Sequence, residues 1–196
     1  MNNKHFFNLA VSLFAISAFM TGSMANAQTL KINSSKSTMS ISGTTNIHNF
    51  KSNVSQINGE LTFNSKNVKS LKVEVPVRSI VSGEKLMDKK TYETFKEPTN
   101  PTITFNLTNV NSMNVSGNDV AVTVTGNLTM GGFTKSVTLK ANGQKVKPGV
   151  YKFTGSTPLK MSEFKMKAPT AMLGAMKVGD AVTLNYSVTF EGNPID

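Results

Sequence analysis

Cysteine and tryptophan are absent from the 196 residues, and histidine occurs only twice. Without cysteine there are no disulfides, thiolate-held metals, iron–sulfur clusters or cysteine nucleophile. Acidic residues are scarce as well: 11 Asp and Glu stand against 21 Lys and Arg, a formal charge of +10. They are scattered singly, without the short-spaced carboxylate pairs that metal or glycosidase sites use. A Gly-rich phosphate loop, a G-x-S-x-G elbow and an H-E-x-x-H pair are all missing. These absences point to a non-enzymatic protein with no cofactor and no metal. Hydrophobic residues make up 38%, low for a helical enzyme but suited to sheets with one wet face, and the length fits one domain.

Lys4 and His5 precede an uncharged apolar run from Phe6 to Met20, and small residues follow as far as Ala25-Asn26-Ala27. A basic start, an apolar stretch too short for a bilayer span and an A-x-A site together predict a secretory signal peptide over 1–27, leaving residues 28–196 as the folded domain. Its removal takes Lys4 away and leaves a formal charge of +9. A secreted chain without disulfides suits a bacterial periplasm. That compartment argues against nucleic acid as the partner of the basic surface, and the few aromatics are not interleaved with the basic residues as single-strand binding requires.

The remaining chain repeats one pattern. Leu71, Val73, Val75 and Val77 alternate with polar residues, and so do Val182, Leu184, Tyr186, Val188 and Phe190. Six more segments read the same way, so at least eight strands each have one apolar and one wet face. Asn142-Gly143, Pro148-Gly149, Ser116-Gly117-Asn118-Asp119 and Gly131-Gly132 supply turn residues between runs. Short turns and no helical crossovers predict an all-β antiparallel sheet, and a sandwich and an up-and-down barrel both satisfy the pattern.

Two segments break the alternation. Lys85 to Glu97 spaces Leu86 or Met87, Tyr92 and Phe95 among charges and predicts a short amphipathic helix before Pro98. Ala168 to Met176 is apolar and Met-rich, a non-strand insertion placed as a lid over an apolar cavity. His48, the one histidine after Ala27, reads first as a structural residue and second as a polar contact at a pocket mouth. The lysines, mostly at outward strand positions or turns, read as a solvated face that is also suited to transient contact with an anionic membrane surface.

In order along the chain, Gly43-Thr44-Thr45-Asn46-Ile47-His48-Asn49-Phe50, Asn58-Gly59-Glu60-Leu61-Thr62-Phe63, Val75 to Gly83, Pro101 to Phe105 and Gly126 to Val137 resemble the YceI-like family of secreted bacterial proteins associated with polyisoprenoid or related lipids. The last stretch is similar to the family's G-x-L-T-x-x-G-x-T-K-x-V. The resemblance implies an eight-stranded antiparallel lipocalin-like β-barrel with one or two short helical segments near its mouth and a ligand in an apolar channel. Eight strands give an interior wide enough for one small ligand. Asn49-Phe50 stands where many members carry Asp-Trp, and Met87-Asp88 where others carry Arg-Asp.

The expectation is therefore a periplasmic carrier holding a long apolar lipid, a polyisoprenoid or isoprenoid quinone, in its barrel. Phe50, Leu86, Met87, Tyr92, Phe95, Met172, Leu173 and Met176 are the expected lining, and His48 a polar contact. The rival is a non-catalytic structural or stress-related envelope protein with a packed core. A dimer through an exposed strand edge is the one oligomer weighed.

Overall fold

The computed structural model describes residues 27–64 and 67–193. Residues 1–26 of the expected export segment lie outside them. Twelve strand segments, β1 (Gln28–Ile32), β2 (Thr38–Thr45), β3 (Asn49–Val54), β4 (Asn58–Phe63), β5 (Val68–Pro76), β6 (Ile80–Val81), β7 (Thr102–Ser116), β8 (Asp119–Met130), β9 (Phe133–Lys147), β10 (Val150–Lys160), β11 (Thr170–Ala171) and β12 (Met176–Glu191), join one helix, α1 (Lys85–Thr94).

Every pairing is antiparallel. The order β1-β4-β5-β7-β8-β9-β10-β12 returns to its start because β12 also pairs with β1, Ile32 opposite Phe190. The sheet is thus a closed eight-stranded barrel, and the choice between sandwich and barrel falls to the barrel. Closure uses β12 twice: one edge takes β10 from Lys160 to Val150, and the other takes β2 and then β1. β7 and β9 have 15 residues each, about 50 Å of extended chain at about 3.3 Å per residue, so the barrel is long for its width.

Three wall strands are broken at one level. β1 and β2, β3 and β4, and β5 and β6 are each one strand interrupted by a few residues, and the breaks lie side by side. Serines join them: Ser34 Oγ accepts the Ile57 N–H at 3.1 Å, and Ser79 O accepts the Ser55 N–H and hydroxyl at 2.8 and 3.1 Å. The buried Ser79 Oγ lies 2.7 Å from Pro76 O and 3.2 Å from Gln56 O. A break in a strand exposes backbone groups that must be paired when buried, and here side chains take over from the ladder. Ile57, Val77 and Ile80, all essentially inaccessible, pack into the space so created.

The turn at Ser116 to Asp119 and that at Gly131-Gly132 form as expected, Gly131 and Gly132 with φ of 59° and 84°. Asn142-Gly143 does not turn; it lies inside β9, where Gly143 faces Phe153 across to β10. The expected insertion at 168–176 is a small hairpin, Thr170 opposite Lys177 and Ala171 opposite Met176, rather than a stretch without strands.

Because its hydroxyl serves two carbonyls, Ser79→Ala should strip a buried pairing from the seam. Chemical denaturation should show a loss of about 1–3 kcal/mol, whereas Ser70→Ala, on an exposed β5 position, should change stability by less than about 0.5 kcal/mol.

Candidate functional site

The inward faces of the strands do not meet. They enclose a cavity of about 710 Å³ that runs from the β7–β8 and β9–β10 turns, Gly117 and Gly149, to Met87 and Phe95 beneath α1. This volume lies in the range of about 300–1,000 Å³ typical of small-molecule sites. Its wall is the alternating apolar set: Leu71, Val73 and Val75 of β5, Val120, Val122 and Val124 of β8, Val137 and Leu139 of β9, and Val182, Leu184 and Val188 of β12. Lys145 is the one charged wall residue among those described, and it stands at the hairpin rim beside Asn118.

Glycines make room for the aromatic rings of the wall. Gly43 lies opposite Phe50, Gly143 opposite Phe153 and Gly155 opposite Tyr186. A Cβ on Gly43 would come within 2.7 Å of the Phe50 ring, and one on Gly126 or Gly143 would collide with Phe105 or Phe153. Each of these rings occupies the place a β-carbon would take and forms part of the cavity wall, the cross-strand cover that glycine in a curved sheet invites.

Tyr186 has a further task. Pairing between β9 and β10 stops at Asn142 and Thr154. Beyond it, the Tyr186 hydroxyl crosses Gly155 and donates to Lys140 O at 3.0 Å, tying β12 to β9 over the parted strands. Burial holds its phenol above the ordinary value.

Polar locks hold α1 over the other end. Asp88 accepts the Ser82 N–H and hydroxyl, both at 2.7 Å. Beyond the helix, Glu97 takes a two-point bond from Arg78 at 2.8 and 2.9 Å, while Arg78 lies 5.7 Å from the centre of the Tyr92 ring. With the Arg78 side chain 71% exposed, its bond to the mostly sheltered Glu97 serves as a positioning device more than a source of stability. So held, α1 turns Met87, Thr91, Thr94 and Phe95 to the cavity, a spacing of four, three and one that is a single helical face.

Of the expected lining, Phe50, Met87 and Phe95 stand on the cavity wall. Leu86 is more than half exposed, one helical step of about 100° from Met87. Tyr92, half-buried against the edge of the core, lies beside Arg78 and donates to its carbonyl at 3.2 Å. Met172 and Leu173 project into water, and Met176 pairs with Ala171 in the small hairpin. His48 is exposed, and its backbone closes a turn with Thr45. None of these six is among the wall residues. Met161 and Met166, both buried, are on the wall instead, together with Thr91 and Thr94. Helical periodicity carried to all four positions would have found the threonines.

Comparison with known proteins agrees with this architecture. A polyisoprenoid-binding domain of Saccharophagus degradans implicated in plant cell wall breakdown superposes with a TM-score of 0.69 at 12% identity, covering 83% of this chain and 98% of that one. Burkholderia cenocepacia BcnA gives 0.66 at 21%, covering 81% and 98%. Campylobacter jejuni YCEI gives 0.59 at 22%, covering 74% and 85%. By sequence, UPF0312 proteins of Pseudomonas aeruginosa are 36% identical over 118 residues, 56% of this chain and 59% of theirs, so the match spans about six-tenths of those relatives.

Two outcomes follow from the wall. Gly143→Ala must push the Phe153 ring off the backbone, and should lower stability by about 1–3 kcal/mol in thermal unfolding. The raised phenol of Tyr186 favours the protonated folded state, so its contribution is complete below the ordinary tyrosine value of about 10 and is lost as pH rises beyond it. A stability-against-pH series should therefore fall more steeply above that value in the native protein than in Tyr186→Phe.

The YceI-like domain model matches residues 30–190, nearly the whole closed barrel, and the chain belongs to that family.

Proposed function

We propose that this protein is a non-enzymatic periplasmic carrier that holds one long apolar lipid chain, of the isoprenoid class, lengthwise in its barrel. The observation that carries the reading is the 710 Å³ apolar cavity running between the two barrel ends with a single charge on its wall. An apolar space of that size offers dispersion contacts on all sides, which a flexible hydrocarbon can make. Each methylene moved from water into such a wall is worth about 0.8 kcal/mol, so ten give several kcal/mol after the entropy of binding.

Methionine shapes the α1 end. Met87, Met130, Met161 and Met166 line it, and their unbranched, polarizable side chains adapt to a guest of variable outline. Kinship with a fold that in Saccharophagus degradans is a polyisoprenoid-binding domain supports the lipid class. The signal-like composition of residues 1–27 supports export to the periplasm, with Gln28 as the first residue of the mature chain. A packed envelope interaction module fits less well, because the inward side chains leave the interior hollow.

Native mass spectrometry of detergent-free protein should show one lipid adduct per chain, and a polyprenol analogue should bind the stripped protein. Val122→Phe, which fills the bore from β8, should reduce retention strongly while leaving the barrel folded. Stripped protein that takes up no analogue, with no lipid on the protein as isolated, would overturn the carrier reading.

A further inference from the structure

The hairpin of β11 and the start of β12 is built unlike the other turns of the barrel among the described residues. Its stem belongs to the cavity: Pro169 and Val178, joined by the bond from Val178 N–H to Pro169 O at 3.1 Å, both line the wall. Its tip does not. From Ala171 to Met176 the chain reads Ala-Met-Leu-Gly-Ala-Met without one polar side chain, and Leu173 is fully exposed while Met172 is 66% exposed. Leaving two large apolar side chains in water is unfavourable, and the backbone adds to the cost. Met172 and Leu173 adopt φ of 54° and 56°, left-handed values that suit glycine, immediately before Gly174 at 91°.

The neighbouring turn of β2 and β3 holds this tip in place. Asn46 donates its amide N–H₂ to Ala175 O at 2.9 Å and accepts the Lys177 N–H at 2.7 Å, while its own backbone N–H reaches Lys177 O at 3.1 Å. Beside Asn46 the side chain of Ile47 is 63% exposed. Three bare apolar side chains therefore stand together on two turns tied at the cavity's α1 end.

Basic side chains predominate around them. Lys167 and Lys177 flank the tip and are exposed, and Lys165, also exposed, holds its ammonium 4.8 Å from the centre of the Phe133 ring. Of the nearest acids, Glu163 is offset by Lys135 at 3.1 Å, and Asp180 keeps its charge while accepting the Ser162 N–H and hydroxyl, so the three lysines outnumber it. An apolar tip inside a basic collar is the composition of an interfacial membrane anchor, with hydrocarbon contact from the tip and headgroup attraction from the lysines.

We propose that this hairpin is a membrane-docking finger: Met172 and Leu173, with Ile47 beside them, enter the headgroup boundary of an anionic bilayer and set the α1 mouth against it. The position has a purpose if the cavity carries lipid, and in that respect the inference rests on the carrier reading. A guest leaving the bilayer at the stem would meet Pro169, Val178 and Met166 without crossing bulk water.

The chain has no tryptophan, so Leu173→Trp gives a single reporter. Its emission should shift to the blue with phosphatidylglycerol-containing vesicles and stay unchanged with pure phosphatidylcholine vesicles in high salt. In vesicle flotation, Met172→Ser/Leu173→Ser should lose at least about tenfold in affinity at an unaltered melting temperature, because the tip contributes nothing to the core. Uptake of a soluble polyprenol analogue should be the same in that variant as in the native chain, which separates docking from cavity occupancy. If neither protein takes up the analogue, the carrier reading fails while vesicle binding still decides the finger. Equal flotation of variant and native protein, or no flotation of either, overturns the proposal. So does a native chain that ignores vesicles but self-associates through the tip in sedimentation.

Discussion

Closure through β12 is the constraint on which the rest depends. One strand of 16 residues pairs with β10 on one edge and with two successive segments, β2 and β1, on the other. No free edge is left between first and last strand, and the circumference is fixed. With radius set by backbone hydrogen bonds, the side chains cannot draw the walls together to fill the middle. An apolar lining and a rigid frame then coexist, and the cavity is what remains between them.

Such a frame still has to manage its own irregularities. The breaks in the three N-terminal wall strands are bound to one another by Ser34, Ser55 and Ser79, so the bends act as one crease. Where β9 and β10 part, a phenol from the next strand reaches over a glycine to the orphaned Lys140 carbonyl. Elsewhere a glycine beneath an aromatic ring gives that ring the space a β-carbon would take. In each case a small residue and a polar or aromatic neighbour do together what ordinary strand pairing does not.

The two ends of the barrel differ in kind. At the hairpin end, turns with asparagine and Lys145 face water. The other end is roofed by α1, held by Asp88 and Glu97 and offering methionine, threonine and Phe95 to the bore. Beside that roof stands the apolar hairpin tip. A guest within the barrel would thus meet an adaptable, charge-free environment at the end where the outside of the protein is also greasy.

Alternation in the sequence determined which residues face inward, because side-chain direction in a strand has a period of two whatever the strand pairs with; Val120, Val122 and Val124 needed nothing else to be placed. Turn chemistry located the reversals at Gly117 and Gly131-Gly132, where positive φ is required. The same chemistry misread Asn142-Gly143, since a glycine that makes room for Phe153 looks locally like one that turns the chain. Whether inward residues touch or enclose a space is a property of the circumference, set by β12 pairing with β1, Ile32 opposite Phe190 at the far end of the chain. Likewise the α1 face became definite only once Asp88 and Arg78 fixed the helix's rotation, which put Met87 in the bore and left Leu86 in water. Local composition marked 168–176 as apolar and irregular; only its bonds to Asn46 decided that its tip points away from the cavity, because that direction depends on partners distant in the chain.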